Sequence, residues 1–153
     1  MRITDILSRE LVIPDLEAED KASTLRELSV HLAAQVDEVA EPLVVSSLLE
    51  RERLGSTGVG EGVAIPHTKV AGLKRLIAAF GRSSKGISFD AIDNQPVYLV
   101  FVLLVPENSA GVHLKALARV SRLLKDRAFR QSLLELDDRD ALFDAFVSED
   151  AKR

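Results

Sequence analysis

The sequence predicts a three-layer α/β/α sandwich around a mixed β-sheet, and three observations carry that reading. Helical periodicity fills both ends of the chain, and strand-like runs fill the middle. One of those runs, Val97 to Val105, is nine apolar residues long and bounded by Pro96 and Pro106. A run with no polar face reads as a central strand covered on both sides. The segment Asp93-Asn94-Gln95-Pro96 ahead of it is rich in turn formers, so this strand is expected to close a hairpin while the other links are long.

The elements follow in order. Leu25, Leu28 and Leu32 recur at helical spacing, which predicts a helix from Lys21 to Gln35 with Asp20 as its N-cap. A second helix is expected from Pro42, a residue suited to a first helical position, to Arg53. Gly55, Gly58, Gly60 and Gly62 then rule out continued helix and mark a loop. Strands are expected at Val63 to Ile65, at Leu76 to Phe80 ending near Gly81, and at Ile87 to Phe89. The last third is helical: Val112 to Leu124, Phe129 to Leu136, and a final helix capped by Asp138 and holding Leu142, Phe143 and Phe146. Asp150 to Arg153 are expected to fray.

Composition bounds the chemistry. A chain of 153 residues with 46% hydrophobic and 29% charged residues is one solvated domain, taken as residues 1–153. A net charge of -4 argues against nucleic acid, which needs a concentrated basic face. No cysteine is present, so disulfides, thiolate metal sites and cysteine nucleophiles are excluded. The N-terminus lacks the pattern of a signal peptide, and the longest apolar run is about half the ~20 residues that cross a bilayer. A cytoplasmic protein without membrane insertion is expected.

The informative stretch runs from Glu50 to Lys69. Its glycines are not followed by Gly-Lys-Ser or Gly-Lys-Thr, so they form no P-loop, and their spacing is not the dinucleotide fingerprint. There is no Gly-x-Ser-x-Gly elbow. His31, His67 and His113 lack metal-protease spacing, and no metal or cofactor is expected. His67 is different in kind, because it follows Ile65-Pro66. Proline fixes its own φ and biases the preceding residue to an extended conformation, so the imidazole is mounted on a stiff segment at the rim of the sheet. Neutral imidazole is a competent nucleophile near pH 7, and glycines beside it admit a close backbone. Another group must hold the ring in the right tautomer, and the sequence does not name it. Taken alone, His67 is equally readable as a structural histidine, Arg51 as part of the charged run Glu50 to Arg53, and His113 as a surface residue in a helix first turn. His31 is read as a solvated helix residue. Lys69, Lys74 and Arg75 are either a steering rim or ordinary solvated surface.

Four motifs add a resemblance. Gly55-Ser56-Thr57-Gly58-Val59-Gly60, Ala64-Ile65-Pro66-His67, Phe89 to Val97, and Leu103-Leu104-Val105-Pro106 together resemble the fructose/mannitol-type (type 2) enzyme IIA family of the bacterial phosphoenolpyruvate-dependent phosphotransferase system, most closely its nitrogen-regulatory branch. Their order and spacing are far more specific than any single glycine pattern, and the resemblance spans about Ile3 to Phe146. Thr68 departs from it, standing where that branch often has glycine. The resemblance implies that His67 accepts a phosphoryl group from an HPr-like phosphocarrier and that Arg51 and His113 assist. It implies a phosphate loop at Gly55, Ser56, Thr57, Gly58 and Gly60, and onward partners that are regulatory target proteins or a IIB domain. Physical chemistry is compatible with those roles: arginine offers a planar fork of donors to phosphate, and a helix first turn favours an anion. The expected function is that of a regulatory phosphohistidine carrier. A sugar-specific IIA component, a binding module that has lost phosphotransfer and a metal hydrolase are the competing readings.

Overall fold

The computed structural model describes residues 1–153, Ala110 by its backbone. Six strands form one sheet: β1 (Val12–Ile13), β2 (Gly58–Gly60), β3 (Val63–Ala64), β4 (His67–Val70), β5 (Ile77–Ile87) and β6 (Val97–Pro106). Their order is β1-β5-β6-β3-β2, with β4 also pairing to β6. β5 and β6 are antiparallel with Phe80 opposite Phe101 and Ile87 opposite Val97, so the expected hairpin is present. β1 runs parallel to β5, and β3 and β4 run parallel to β6, which makes the sheet mixed as expected. Val97 and residues 99–105 are buried, and only Tyr98 among the strand's first nine residues is partly exposed.

Helices cover both sides of the sheet. α1 (Lys21–Gln35) and α2 (Glu41–Arg53) pack on each other, α1 against β5 and α2 against β4. α3 (Ala110–Lys125), α4 (Arg127–Glu135) and α5 (Arg139–Ala151) complete the other layer. Side-chain alternation along β4 assigns the faces. The Thr68 hydroxyl donates to the Ser47 carbonyl of α2, while the neighbouring His67 ring meets His113 of α3. Phe80 and Phe101 face the same side as α4 and α5, where Phe129 and Phe146 close an aromatic cluster with centroid separations of 4.8–6.3 Å. Asp20, Asp126 and Asp138 each accept from an amide in the first turn of the helix that follows. That restores a partner to a donor that helix geometry leaves free.

Four expectations are corrected. β5 does not stop near Gly81 but continues to Ile87, absorbing part of the segment read as a separate strand at Ile87 to Phe89. Gly81 survives inside it because a Cβ there would lie 2.7 Å from the Leu16 side chain, so the small residue marks close packing and not a strand end. The glycine stretch is not wholly loop: Gly58 to Gly60 pair antiparallel with β3. The C-terminus does not fray at Asp150. Its buried carboxylate accepts from the Ile3 amide at 2.8 Å and from Arg119 Nε at 2.6 Å, tying both chain ends to α3. His31 is not simply solvated, since its Nε2 lies 2.6 Å from the Glu10 carbonyl.

Candidate functional site

The segment Val63 to Val70 runs along β6 as two short strands separated by Ile65 and Pro66. Proline cannot donate to the ladder, so the interruption falls where it must. Pairing resumes at His67, opposite Leu103, and the imidazole therefore projects from the first residue of a short strand that pairs with β6 alone. Thr68, the departure from the glycine expected there, is housed in the same strand with its hydroxyl on α2.

His67 is half-buried, and its Nδ1 lies 2.8 Å from the carbonyl of Ile65. A carbonyl only accepts, so Nδ1 carries the proton in the neutral ring and Nε2 carries the lone pair. Nε2 makes no hydrogen bond to any described residue. Its group partner is thus a backbone atom two residues earlier, held in place by the rigid Ile65-Pro66 link.

His113, in the opening turns of α3, stands beside it with ring centroids 5.4 Å apart and planes tilted by 52°. Its own amide is already bonded to the Ser109 carbonyl, so the side chain and not the backbone is what it offers. The His113 Nε2 is buried without a hydrogen-bond partner among the described residues. Burial pushes the His113 pKa down, and the nearby His67 and Lys69 lower it further, which favours the neutral ring. His113 thus sets a buried ring nitrogen next to an imidazole whose Nε2 lone pair is uncommitted.

Arg51 lies in the last turn of α2, the helix that packs on β4, and its Nη1 donates to the Gly55 carbonyl at 3.1 Å. The contact bends the chain out of the helix and leaves the rest of the guanidinium fork unspent. The turn beyond is held by Glu52, which sequence reasoning passed over. Its buried carboxylate accepts from the Thr57 amide and the Thr57 hydroxyl and pairs with Lys21 Nζ at 3.1 Å. Nothing in the run Glu50 to Arg53 distinguishes it beforehand, because burial of one charge in four is a tertiary event.

The candidate phosphate-loop residues are placed differently from a phosphate cradle. The Gly55 amide donates to the Glu52 carbonyl, the Thr57 amide to the Glu52 side chain and the Gly58 amide to the Ser56 hydroxyl. Ser56 in turn donates to the Phe89 carbonyl, and Gly60 is paired with Val63. A Cβ on Gly58 would lie 2.8 Å from Ala91, so the backbone that this glycine admits is the chain's own. These residues brace the turn after Arg51. Arg75 of the candidate rim pairs with Glu38 at 3.1 Å.

With this geometry in view, the comparison with known proteins is direct. The family model for the phosphoenolpyruvate-dependent sugar phosphotransferase system, EIIA 2, matches residues 5–149. The chain belongs to that family. As an EIIA type 2 chain it is 43% identical over 143 residues to a nitrogen regulatory protein of Bradyrhizobium diazoefficiens, covering 94% of this chain and 93% of that one. It is 35% identical over 150 residues to a fructose-specific EIIABC component of Bacillus subtilis, of which it spans 24%. Its structure superposes on the nitrogen regulatory protein IIA-Ntr of Neisseria meningitidis with a TM-score of 0.88 at 35% identity, covering 94% and 98% of the two chains. The Escherichia coli mannitol IIA shares the EIIA type 2 fold at a TM-score of 0.78 and 20% identity. Among the described residues no helix is long and apolar enough to cross a membrane.

Proposed function

We propose that this chain is a cytoplasmic phosphohistidine carrier of nitrogen-regulatory type, phosphorylated on Nε2 of His67 by an HPr-like phosphocarrier. The observation that carries this reading is the pairing of a tautomer-fixed His67 with His113, whose buried Nε2 has no hydrogen-bond partner among the described residues, at a ring separation of 5.4 Å. The His67 Nε2 lone pair attacks the phosphorus of a phosphohistidine on the donor. The new N–P bond forms as the donor's N–P bond breaks, and that electron pair returns to the donor imidazole. Nδ1 keeps its proton, and the Ile65 carbonyl compensates the positive charge that develops on the phosphorylated ring.

The transferred group arrives with charge on three oxygens that must be met by positioned donors. His113 and Arg51 are the donors in this reading, one through a ring nitrogen and one through its guanidinium fork. Val112 and Leu114 flank His113 and are 48% and 65% exposed, an apolar rim suited to a docking protein. A phosphate dianion placed at such a rim changes local charge enough to exchange one protein partner for another. The similarity to nitrogen regulatory proteins over more than nine-tenths of both chains supports regulatory target proteins as the downstream partners. The match to the fructose-specific EIIABC component supports a second reading, in which His67 passes the group to a IIB domain during sugar uptake.

The test is labelling from phosphoenolpyruvate with the upstream carriers supplied. The wild type is expected to gain an acid-labile, base-stable phosphate, and His67→Ala none. His113→Ala is expected to be labelled more slowly by about 10²-fold, the ordinary value of one positioned donor. Labelling that persists in His67→Ala overturns the site. Loss of nitrogen-dependent regulation with unchanged fructose uptake on deletion separates the first reading from the second.

A further inference from the structure

We infer that a cavity on the α3–α4 side of the sheet binds a small organic anion with an apolar body. The cavity is about 600 Å³, inside the range of small-molecule sites. Its floor is apolar, formed by Val63 and Ile65 with Leu124 of α3, and its rim is cationic, formed by Lys125, Arg127 and Arg130. Neither His67 nor His113 lines it. It is therefore separate from the proposed phosphoryl site, although Ile65 belongs to both, lining the cavity and placing its carbonyl on the His67 ring.

The cations are available to a ligand. Among the described residues Lys125 and Arg127 form no ion pair. The Arg130 side chain is only 13% exposed, and its Nη1 is pinned by the Leu124 and Lys125 carbonyls at the end of α3. Its Nη2 has only a long contact of 3.6 Å with the Glu61 carboxylate, which is 78% exposed and free to swing into water. A carboxylate or phosphate held at hydrogen-bond distance improves on that contact, and the fixed fork of Arg130 presents the geometry to receive it. Glu61 and Arg130 also line a second hollow of about 390 Å³ next to the first, so displacing Glu61 opens the two into one groove. The apolar floor selects against bare inorganic anions, and the single cluster of positive charge selects against neutral ligands.

The probe is octyl phosphate, titrated below its micellar concentration and followed by amide chemical shifts. Saturable shifts are expected at Val63, Ile65, Leu124 and Lys125. The double variant Lys125→Ala, Arg127→Ala is expected to bind about tenfold more weakly, the order of one or two charge-assisted contacts. Glu61→Gln, which removes the competing carboxylate, is expected to bind about threefold more tightly. Unaltered dispersion of the remaining amides shows that both variants are folded. Equal affinity in all three proteins, or shifts centred on His67 and His113 in place of Ile65, overturns the inference. Sedimentation with phosphatidylglycerol vesicles that depends on Lys125 and Arg127 overturns it too, in favour of a lipid surface. None of these results depends on whether His67 is phosphorylated, so the two sites stand or fall separately.

Discussion

At the scale of single residues, reactivity in this chain is a matter of which atoms already have partners. His67 has one ring nitrogen occupied by the Ile65 carbonyl, and His113 has one buried nitrogen with none. The stiff mount of His67 is legible beforehand, because Ile65-Pro66 fixes the backbone that carries the imidazole, whereas its proposed reactivity rests on the resemblance and not on that pattern. The group that selects its tautomer is not legible, since a carbonyl carries no side-chain signature and its direction is set by the break in strand pairing. The brace made by Glu52 is invisible for a related reason: its neighbours Glu50 and Arg53 pair with each other in solvent. The lowered pKa of His113 gives a directional prediction. The unfolded chain takes up a proton at the ordinary histidine pKa of about 6.5, before the folded chain does. Protonation of His113 therefore weakens the fold as pH falls below that value, and the contribution returns as pH rises. Once His67 carries a phosphate dianion, the adjacent charge favours the imidazolium and the His113 titration moves upward. Histidine ring shifts recorded against pH in both states measure this; an unchanged His113 midpoint would remove its contact with the phosphate.

At the scale of elements, periodicity served where packing is local and failed where it is not. α1 spans Lys21–Gln35 as its leucine spacing and Asp20 cap predict, and α2 begins one residue before the Pro42 start. β1 and β4 are short and lie outside the predicted strands, because Val12–Ile13 is a single apolar pair and His67–Val70 is mostly polar. β4 exists because β6 offers it a ladder, a fact about pairing and not about its own sequence. The end of α5 shows the same limit. Asp150 lies in a charged tail that reads as frayed, yet it is buried and bonded to residues 31 and 147 positions away. Asp150→Ala strands the Ile3 amide and the Arg119 guanidinium. It is expected to cost about 1–3 kcal/mol, part of the charge being screened by solvent at Arg119. Urea unfolding monitored by circular dichroism checks this, and a midpoint equal to wild type would return the tail to the status of a loose end.

At the scale of the whole molecule, one strand organises everything. β6 is buried on both faces and pairs with β5, β3 and β4, so the sheet is assembled around it. His67 stands on the face that meets α3, and Thr68 on the face that meets α2. The layered architecture was legible from that run of apolar residues and from the helical ends. The order of strands was not, because several parallel and antiparallel arrangements satisfy the same burial pattern. His67 is thus held on a strand of the sheet beside α3, which brings His113 to it, while α2, which carries Arg51, packs on the same strand. The account rests on Nε2 of His67 as the atom that takes the phosphoryl group. Two-dimensional ¹⁵N–¹H correlation spectra of the phosphorylated, ¹⁵N-labelled protein read that atom directly. The predicted result is a phosphorus-coupled Nε2 resonance from His67 with Nδ1 still protonated; phosphorus coupled to Nδ1, or carried by any other residue, contradicts it.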